Sequence, residues 1–280
     1  MTGDAFVDRD YLLAHLTDPQ VRIVDARSVP HGVAIVQTPG SERYTAGHIP
    51  GAVHVDYHDD LRDPATPYAA RVAPPERFAA VVGALGIGDD TTVIAYDDGD
   101  VPYAARIVWM LRYYGHDPAY VLAGGLAEWR AHGGDVTTDV PSFAPRTFTP
   151  RARPALRATR AEVLAIAQGR GDAQLVETQR DRTYGMRDRD IAGAVRLSGS
   201  QLLDDANGGR IAPRETLDAL VASAGLDPAK RTIVSCGSGV SASGSYLALR
   251  AAGFADVAVY DGSWMEWSHD DLPTVAKAER

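Results

Sequence analysis

Gly225-Leu226-Asp227-Pro228-Ala229-Lys230-Arg231-Thr232-Ile233-Val234-Ser235-Cys236 ends on the one cysteine of this 280-residue chain, and Gly237-Ser238-Gly239-Val240-Ser241-Ala242 follows it. An apolar, β-prone run stops at the thiol, a Gly-Ser-Gly turn comes next, and a helix-compatible stretch begins near Val240. A lone cysteine in a soluble chain is usually a small buried hydrophobe without chemistry. These neighbours argue otherwise. Gly237 and Gly239 permit backbone conformations closed to other residues. Successive N–H groups in such a turn make a nest for an anion, and the helix start adds the positive end of its dipole. Helix N-termini lower a thiol pKa from about 8.5 to roughly 3.5–7.5. Cys236 is therefore the candidate nucleophile, and Gly237, Ser238, Gly239, Val240, Ser241 and Ala242 its candidate anion cradle.

The same stretch occurs earlier in the chain. Gly86-Ile87-Gly88-Asp89-Asp90-Thr91-Thr92-Val93-Ile94-Ala95-Tyr96-Asp97 lies over Gly225 to Cys236 without a gap, at an offset of 139 residues, so Asp97 takes the cysteine's place. Downstream, Val121-Leu122-Ala123-Gly124-Gly125-Leu126-Ala127-Glu128-Trp129 pairs with Val259-Tyr260-Asp261-Gly262-Ser263-Trp264-Met265-Glu266-Trp267. Upstream, Gly51-Ala52-Val53 pairs with Gly193-Ala194-Val195. The repeat predicts two tandem domains, residues 1–140 and 155–280, with the proline-bearing segment 141–154 as linker.

Each half alternates short apolar runs with helical patterns. Strands are expected at Val21–Val24, Thr92–Tyr96 and Ala119–Leu122 in the first half, and at Thr232–Ser235 and Val257–Tyr260 in the second. Helices are expected at Pro75–Leu85, Tyr103–Tyr113, Arg214–Ala224 and Ala242–Ala252. Such alternation makes an α/β fold, each domain a mainly parallel sheet with helices on both faces. Ligands in such sheets bind beyond the carboxyl ends of the strands, where Cys236 stands.

Composition narrows the function. A net charge of −9 argues against a nucleic-acid-binding surface. One cysteine excludes an intrachain disulfide and any multi-cysteine metal site, and the histidines lack metal-ligand spacing. The acidic N-terminus carries no signal-peptide pattern and no apolar run reaches transmembrane length, so the chain reads as cytoplasmic, without membrane partners. No cofactor is called for.

Three motifs together resemble a known family. Arg43-Tyr44-Thr45-Ala46-Gly47-His48-Ile49-Pro50-Gly51-Ala52 resembles a rhodanese-domain signature. Tyr260 to Trp267 resembles the C-terminal signature of two-domain sulfurtransferases, and Cys236 to Ala242 the active loop of the mercaptopyruvate-using members. Thiosulfate-preferring members carry basic side chains just after the cysteine, and Gly237 and Ser238 supply none. The resemblance implies a catalytic second domain and a first domain that has lost its cysteine, as Asp97 indicates. It implies transfer of sulfane sulfur from an anionic donor, 3-mercaptopyruvate or thiosulfate, through a persulfide on Cys236 to cyanide, a small thiol or a thioredoxin-like protein.

The resemblance also implies arginines for the donor's carboxylate in the loop after the first strand of the second domain. Arg182 matches by its spacing to Gly185, with Arg187 or Arg189 as the second. The competing reading of this run is a self-neutralising surface, since Asp181, Asp188 and Asp190 interleave. Some members pair an active-loop serine with a histidine and an aspartate of the first domain. Ser238 is present, Tyr68-Ala69-Ala70 holds no histidine, and His58 stands where the aspartate would be, so Ser238 and His58 form a candidate helper pair, against the competing reading of His58 as a surface histidine. Glu177-Thr178 replaces an expected Asp-Ala, and Asp190-Ile191-Ala192-Gly193-Ala194 replaces Gly-His-Ile-Pro-Gly-Ala. Two other functions stay open. A cysteine-dependent phosphatase would need an arginine at the position of Ala242, and a non-enzymatic persulfide carrier would load once and stall.

Overall fold

The structure, a computed structural model, describes residues 5–29, 38–67, 71–99, 103–181, 187–204 and 209–277. The chain divides into two compact units, with the boundary between Arg153 and Pro154.

In the first unit, β1 (Phe6–Val7), β2 (Val21–Asp25), β3 (Val53–His54), β4 (Thr92–Tyr96) and β5 (Ala119–Leu122) form one sheet in the order β1-β5-β4-β2-β3. Every neighbouring pair is parallel. β2 is buried along its whole length, and β4 at every residue after Thr92, as expected of strands covered on both faces. Leu12, Ile23, Ile49, Ile94, Leu126 and Trp129 share its core. The helix Tyr103–Tyr113 follows β4 and is buried from Tyr103 to Leu111.

Of the expected linker 141–154, residues 141–153 run along this unit. The Arg146 N–H donates to the Gly83 carbonyl (2.9 Å), and the Arg151 N–H to that of Tyr114 (2.9 Å). Phe148 is buried against Phe78, and the Arg22 guanidinium lies 3.2 Å over the Phe143 ring.

In the second unit, β6 (Gln174–Glu177), β8 (Ala194–Arg196), β9 (Thr232–Ser235) and β10 (Val257–Val259) form a parallel sheet in the order β10-β9-β6-β8. A separate antiparallel pair joins β7 (Arg189–Ile191) to β11 (Thr274–Ala276). Its residues are mixed polar and apolar, and the sequence pattern gave no strand there. Val163, Leu175, Ile191, Ile233, Tyr260 and Trp267 build the core. The helix Arg160–Ala167 starts with a capping box, in which the Thr159 hydroxyl accepts from the Glu162 N–H and the Glu162 carboxylate from the Thr159 N–H. The helix Val240–Ala251 begins where the helix-compatible stretch was expected to start, two residues ahead of the range Ala242–Ala252. Val240, Ser241 and Ala242 are thus its first turn, and the loop after the cysteine is only Gly237-Ser238-Gly239. Among the described residues, no helix is long and apolar enough to cross a membrane.

Candidate active site

β9 is an interior strand, flanked by β6 and β10, and its chain direction delivers Cys236 to the carboxyl edge of the sheet. The thiol is 2% exposed. Gly239 caps the following helix with φ +87°, a conformation that suits glycine. A Cβ at Gly239 would also lie 2.6 Å from the Asp261 carbonyl oxygen, so space demands glycine as well. This geometry turns the Gly239 N–H onto the Cys236 Sγ at 3.1 Å. The Ser243 hydroxyl donates to the Gly239 carbonyl (3.0 Å), tying the turn to the helix. Ser238 is half-buried in the turn, and Ala242 is fully buried where a phosphate-binding arginine would be required.

A second segment holds the loop from behind. The Cys236 N–H donates to the Ser263 Oγ (3.1 Å), and the Ser263 hydroxyl donates to the Tyr260 carbonyl (2.7 Å). The Trp264 N–H donates to the Cys236 carbonyl (3.0 Å), and the Met265 N–H to that of Gly237 (2.9 Å). Ser263 is fully buried with φ +49°, a left-handed conformation uncommon for a residue with a side chain. Sequence reasoning did not single it out. The signal was in the repeat, where Gly125, with φ +56°, occupies the matching place and has no hydroxyl to offer.

The first unit shows the same scaffold around a different group. Asp97 ends β4 as Cys236 ends β9. Its Oδ1 accepts from the Gly99 N–H (2.8 Å), its Oδ2 from the Ala104 N–H (3.1 Å), and its carbonyl from the Leu126 N–H (2.8 Å). The amides after the strand therefore hold an anionic side chain, the role expected of them for a thiolate.

The strand ends beside the loops carry buried carboxylates, and the two units treat them differently. In the first, Asp25 is clamped by Arg27, whose Nε lies 2.9 and 3.0 Å from the two carboxylate oxygens, and Tyr96 Oη donates to it at 2.7 Å. In the second, Glu177 is 1% exposed, and the Gln179 N–H donates to its Oε1 at 2.6 Å. Its ion-pair partner is Arg187, which also reaches Asp190 Oδ1 (2.7 Å) and lies 4.7 Å over the Trp264 ring. Burial pushes the Glu177 carboxyl up, and the Arg187 charge opposes that shift.

The other anticipated residues separate. Arg187 holds protein carboxylates in a buried pair. Arg189 is exposed at the start of β7, its Nε donating to the Thr274 Oγ1 at 2.7 Å. His58 belongs to the first unit, where its Nδ1 lies 2.7 Å from Asp59 Oδ1. Arg182 and Tyr68-Ala69-Ala70 lie outside the described residues.

Comparison with known proteins agrees with this architecture. The profile of the rhodanese-like domain matches residues 8–132 and 159–270. A 3-mercaptopyruvate sulfurtransferase of Escherichia coli (strain K12) is 32% identical over 283 residues, covering 98% of each chain. A thiosulfate sulfurtransferase of Bos taurus is 33% identical over 267 residues, covering 91% of this chain and 87% of that one. A crystal structure of a 3-mercaptopyruvate sulfotransferase from Escherichia coli superposes with a TM-score of 0.83 at 31% identity, covering 92% of this chain and 98% of that one. The chain belongs to the rhodanese family and is a two-domain sulfurtransferase.

Proposed function

We propose that this enzyme moves sulfane sulfur from an anionic donor, 3-mercaptopyruvate in preference to thiosulfate, through a persulfide on Cys236. The observation that carries the reading is the Gly239 N–H aimed at the Cys236 Sγ, on a thiol delivered to the carboxyl edge of a parallel sheet. The Cys236 thiolate attacks the donor sulfur. With 3-mercaptopyruvate the new S–S bond forms as the C–S bond breaks, and the electron pair leaves with the enolate of pyruvate. The proton of the donor thiol ends on that enolate carbon, giving pyruvate and the persulfide anion. With thiosulfate the leaving group is sulfite. Cyanide, a small thiol or a thioredoxin-like protein then attacks the outer sulfur and returns the Cys236 thiolate.

The Gly239 amide and those of the loop and first helical turn, Gly237 to Ala242, stabilise the thiolate and persulfide anions as an oxyanion hole stabilises oxygen. Arg182 is the cation assigned to the donor's carboxylate, as a bidentate fork. Arg187 and Arg189 act on protein oxygens instead. The donor preference rests on the uncharged Gly237 and Ser238 and on the likeness to the bacterial 3-mercaptopyruvate enzyme over nearly the full length. His58→Gln tests whether His58 takes part in the reaction.

Mass spectrometry of donor-treated enzyme tests the scheme. A single-sulfur adduct on Cys236 is expected, lost in Cys236→Ser, with many turnovers per enzyme when acceptor is present. An adduct that survives Cys236→Ser defeats the reading, and a protein that loads once and stalls is a carrier.

A further inference from the structure

Gln179 is the residue of the second unit that corresponds to Arg27 of the first. Both follow the strand-end carboxylate by two positions, and both donate their own N–H to it: Arg27 to Asp25 Oδ1 at 3.0 Å, Gln179 to Glu177 Oε1 at 2.6 Å. The same backbone amide is used in both, and the side chains differ in what they hold. The Arg27 guanidinium folds back onto Asp25. In the second unit Arg187 arrives from further along the chain and takes that task for Glu177. The Gln179 side chain is released from it and lies against the residue after the nucleophile. A Cβ built on Gly237 would meet Gln179 Nε2 at 3.4 Å, Cδ at 3.6 Å and Oε1 at 3.7 Å.

The Gln179 Oε1 is buried and has no hydrogen-bond partner. Buried side-chain oxygens are nearly always paired, so one left open beside a reactive loop calls for a reason. A neutral amide presents both a donor and an acceptor, whichever way it is turned. It adds no charge at the loop edge.

We infer that the Gln179 amide is a specificity-determining group of the sulfur-transfer site, hydrogen-bonding the singly charged thiol donor and giving no electrostatic help to a dianion. This rests on the sulfur-transfer reading above and names a residue that selects the substrate class. 3-Mercaptopyruvate carries one negative charge and a thiol proton that an amide oxygen can accept. Thiosulfate carries two charges and no proton.

Two variants test it, Gln179→Met, which keeps the side-chain length without its hydrogen bonds, and Gln179→Glu, which adds an anion. Each is assayed with both donors by kcat/KM, or by competitive inhibition constant for a donor too slow to turn over. Gln179→Met is expected to lower kcat/KM for 3-mercaptopyruvate about tenfold and to leave thiosulfate within about twofold, as for one lost hydrogen bond. Gln179→Glu is expected to weaken thiosulfate at least about tenfold more than 3-mercaptopyruvate, a gap that closes as salt is added. Equal losses for both donors, or no loss in the Met variant, overturn the inference, because a packing role against Gly237 would not distinguish charge. An unsubstituted enzyme that loads no sulfur on Cys236 overturns the sulfur-transfer reading itself, an outcome separable from the first because it precedes any variant.

Discussion

Replacing Ser263 by alanine and by glycine should give an order opposite to the usual one, with glycine the less damaging. Two effects act at this position. The Ser263 hydroxyl accepts from the buried Cys236 N–H and donates to the Tyr260 carbonyl. Losing it leaves a buried donor unpaired, at about 1–3 kcal/mol. The backbone sits at φ +49°, which costs a residue with a Cβ about 1–2 kcal/mol. Alanine keeps that strain and loses the bonds, so Ser263→Ala should destabilise the second unit by about 2 kcal/mol. Glycine also loses the bonds and recovers the strain, less about 0.5–1 kcal/mol for its greater freedom when unfolded. Ser263→Gly should therefore be more stable than Ser263→Ala by about 0.7 kcal/mol, from the midpoints of the two terms. Hydrogen exchange read by mass spectrometry resolves the second unit's opening free energy, which a whole-chain unfolding midpoint for two domains would blur. Sulfur loading on Cys236 should slow in both variants, since the amide of the nucleophile is no longer fixed. An alanine variant as stable as the glycine one, or two variants indistinguishable from the parent, would refute the account of the strained serine.

Three further outcomes follow from the same geometry. Gly239→Ala should lose at least about 2 kcal/mol and slow sulfur loading, because its Cβ would fall 2.6 Å from the Asp261 carbonyl at φ +87°, whereas Gly237→Ala, whose Cβ would meet nothing nearer than 3.4 Å, should keep the parent's stability; urea unfolding and single-turnover loading compare them. Asp97→Ala should destabilise the first unit by about 2 kcal/mol through one buried and one part-buried amide left without their carboxylate, with the loading rate on Cys236 unchanged, measured by hydrogen exchange and mass spectrometry. Burial holds the His116 pKa below its ordinary 6.5, so the unfolded chain takes up a proton there that the folded state refuses; the first unit should lose stability as pH falls from about 6.5 toward the folded value, and His116→Gln should flatten that slope in unfolding series run near pH 7.5 and near pH 5.5.

Several charged residues read as a group in the sequence turn out to have separate employment. The run from Arg180 to Asp190 looked either like a donor-binding loop or like a self-neutralising surface. Arg187 instead pairs with Glu177, a buried glutamate that ends β6 and needs a counter-charge. In the first unit that need is met two residues away by Arg27, and in the second copy, where Gln179 takes that position, Arg187 meets it. Nothing in the local spacing of Arg187 says so. The substitution became interpretable only when both strand ends could be compared in space.

What the sequence determined by itself is what local chemistry controls. Apolar runs alternating with helical patterns specify parallel strands with crossover helices. Glycine at position 239 specifies the left-handed cap that starts the helix after Cys236. The internal repeat identifies which copy keeps a nucleophile. These signals survive in a string because each depends on neighbours within a few residues. The tertiary structure decided which distant groups meet: the Ser263 hydroxyl on the Cys236 amide, Arg187 on Glu177, the Gln179 amide on Gly237, and residues 141–153 on the first unit. Those meetings are set by strand order and by the burial of charge, which forces each buried ionic or polar group to find a partner wherever the fold brings one within reach.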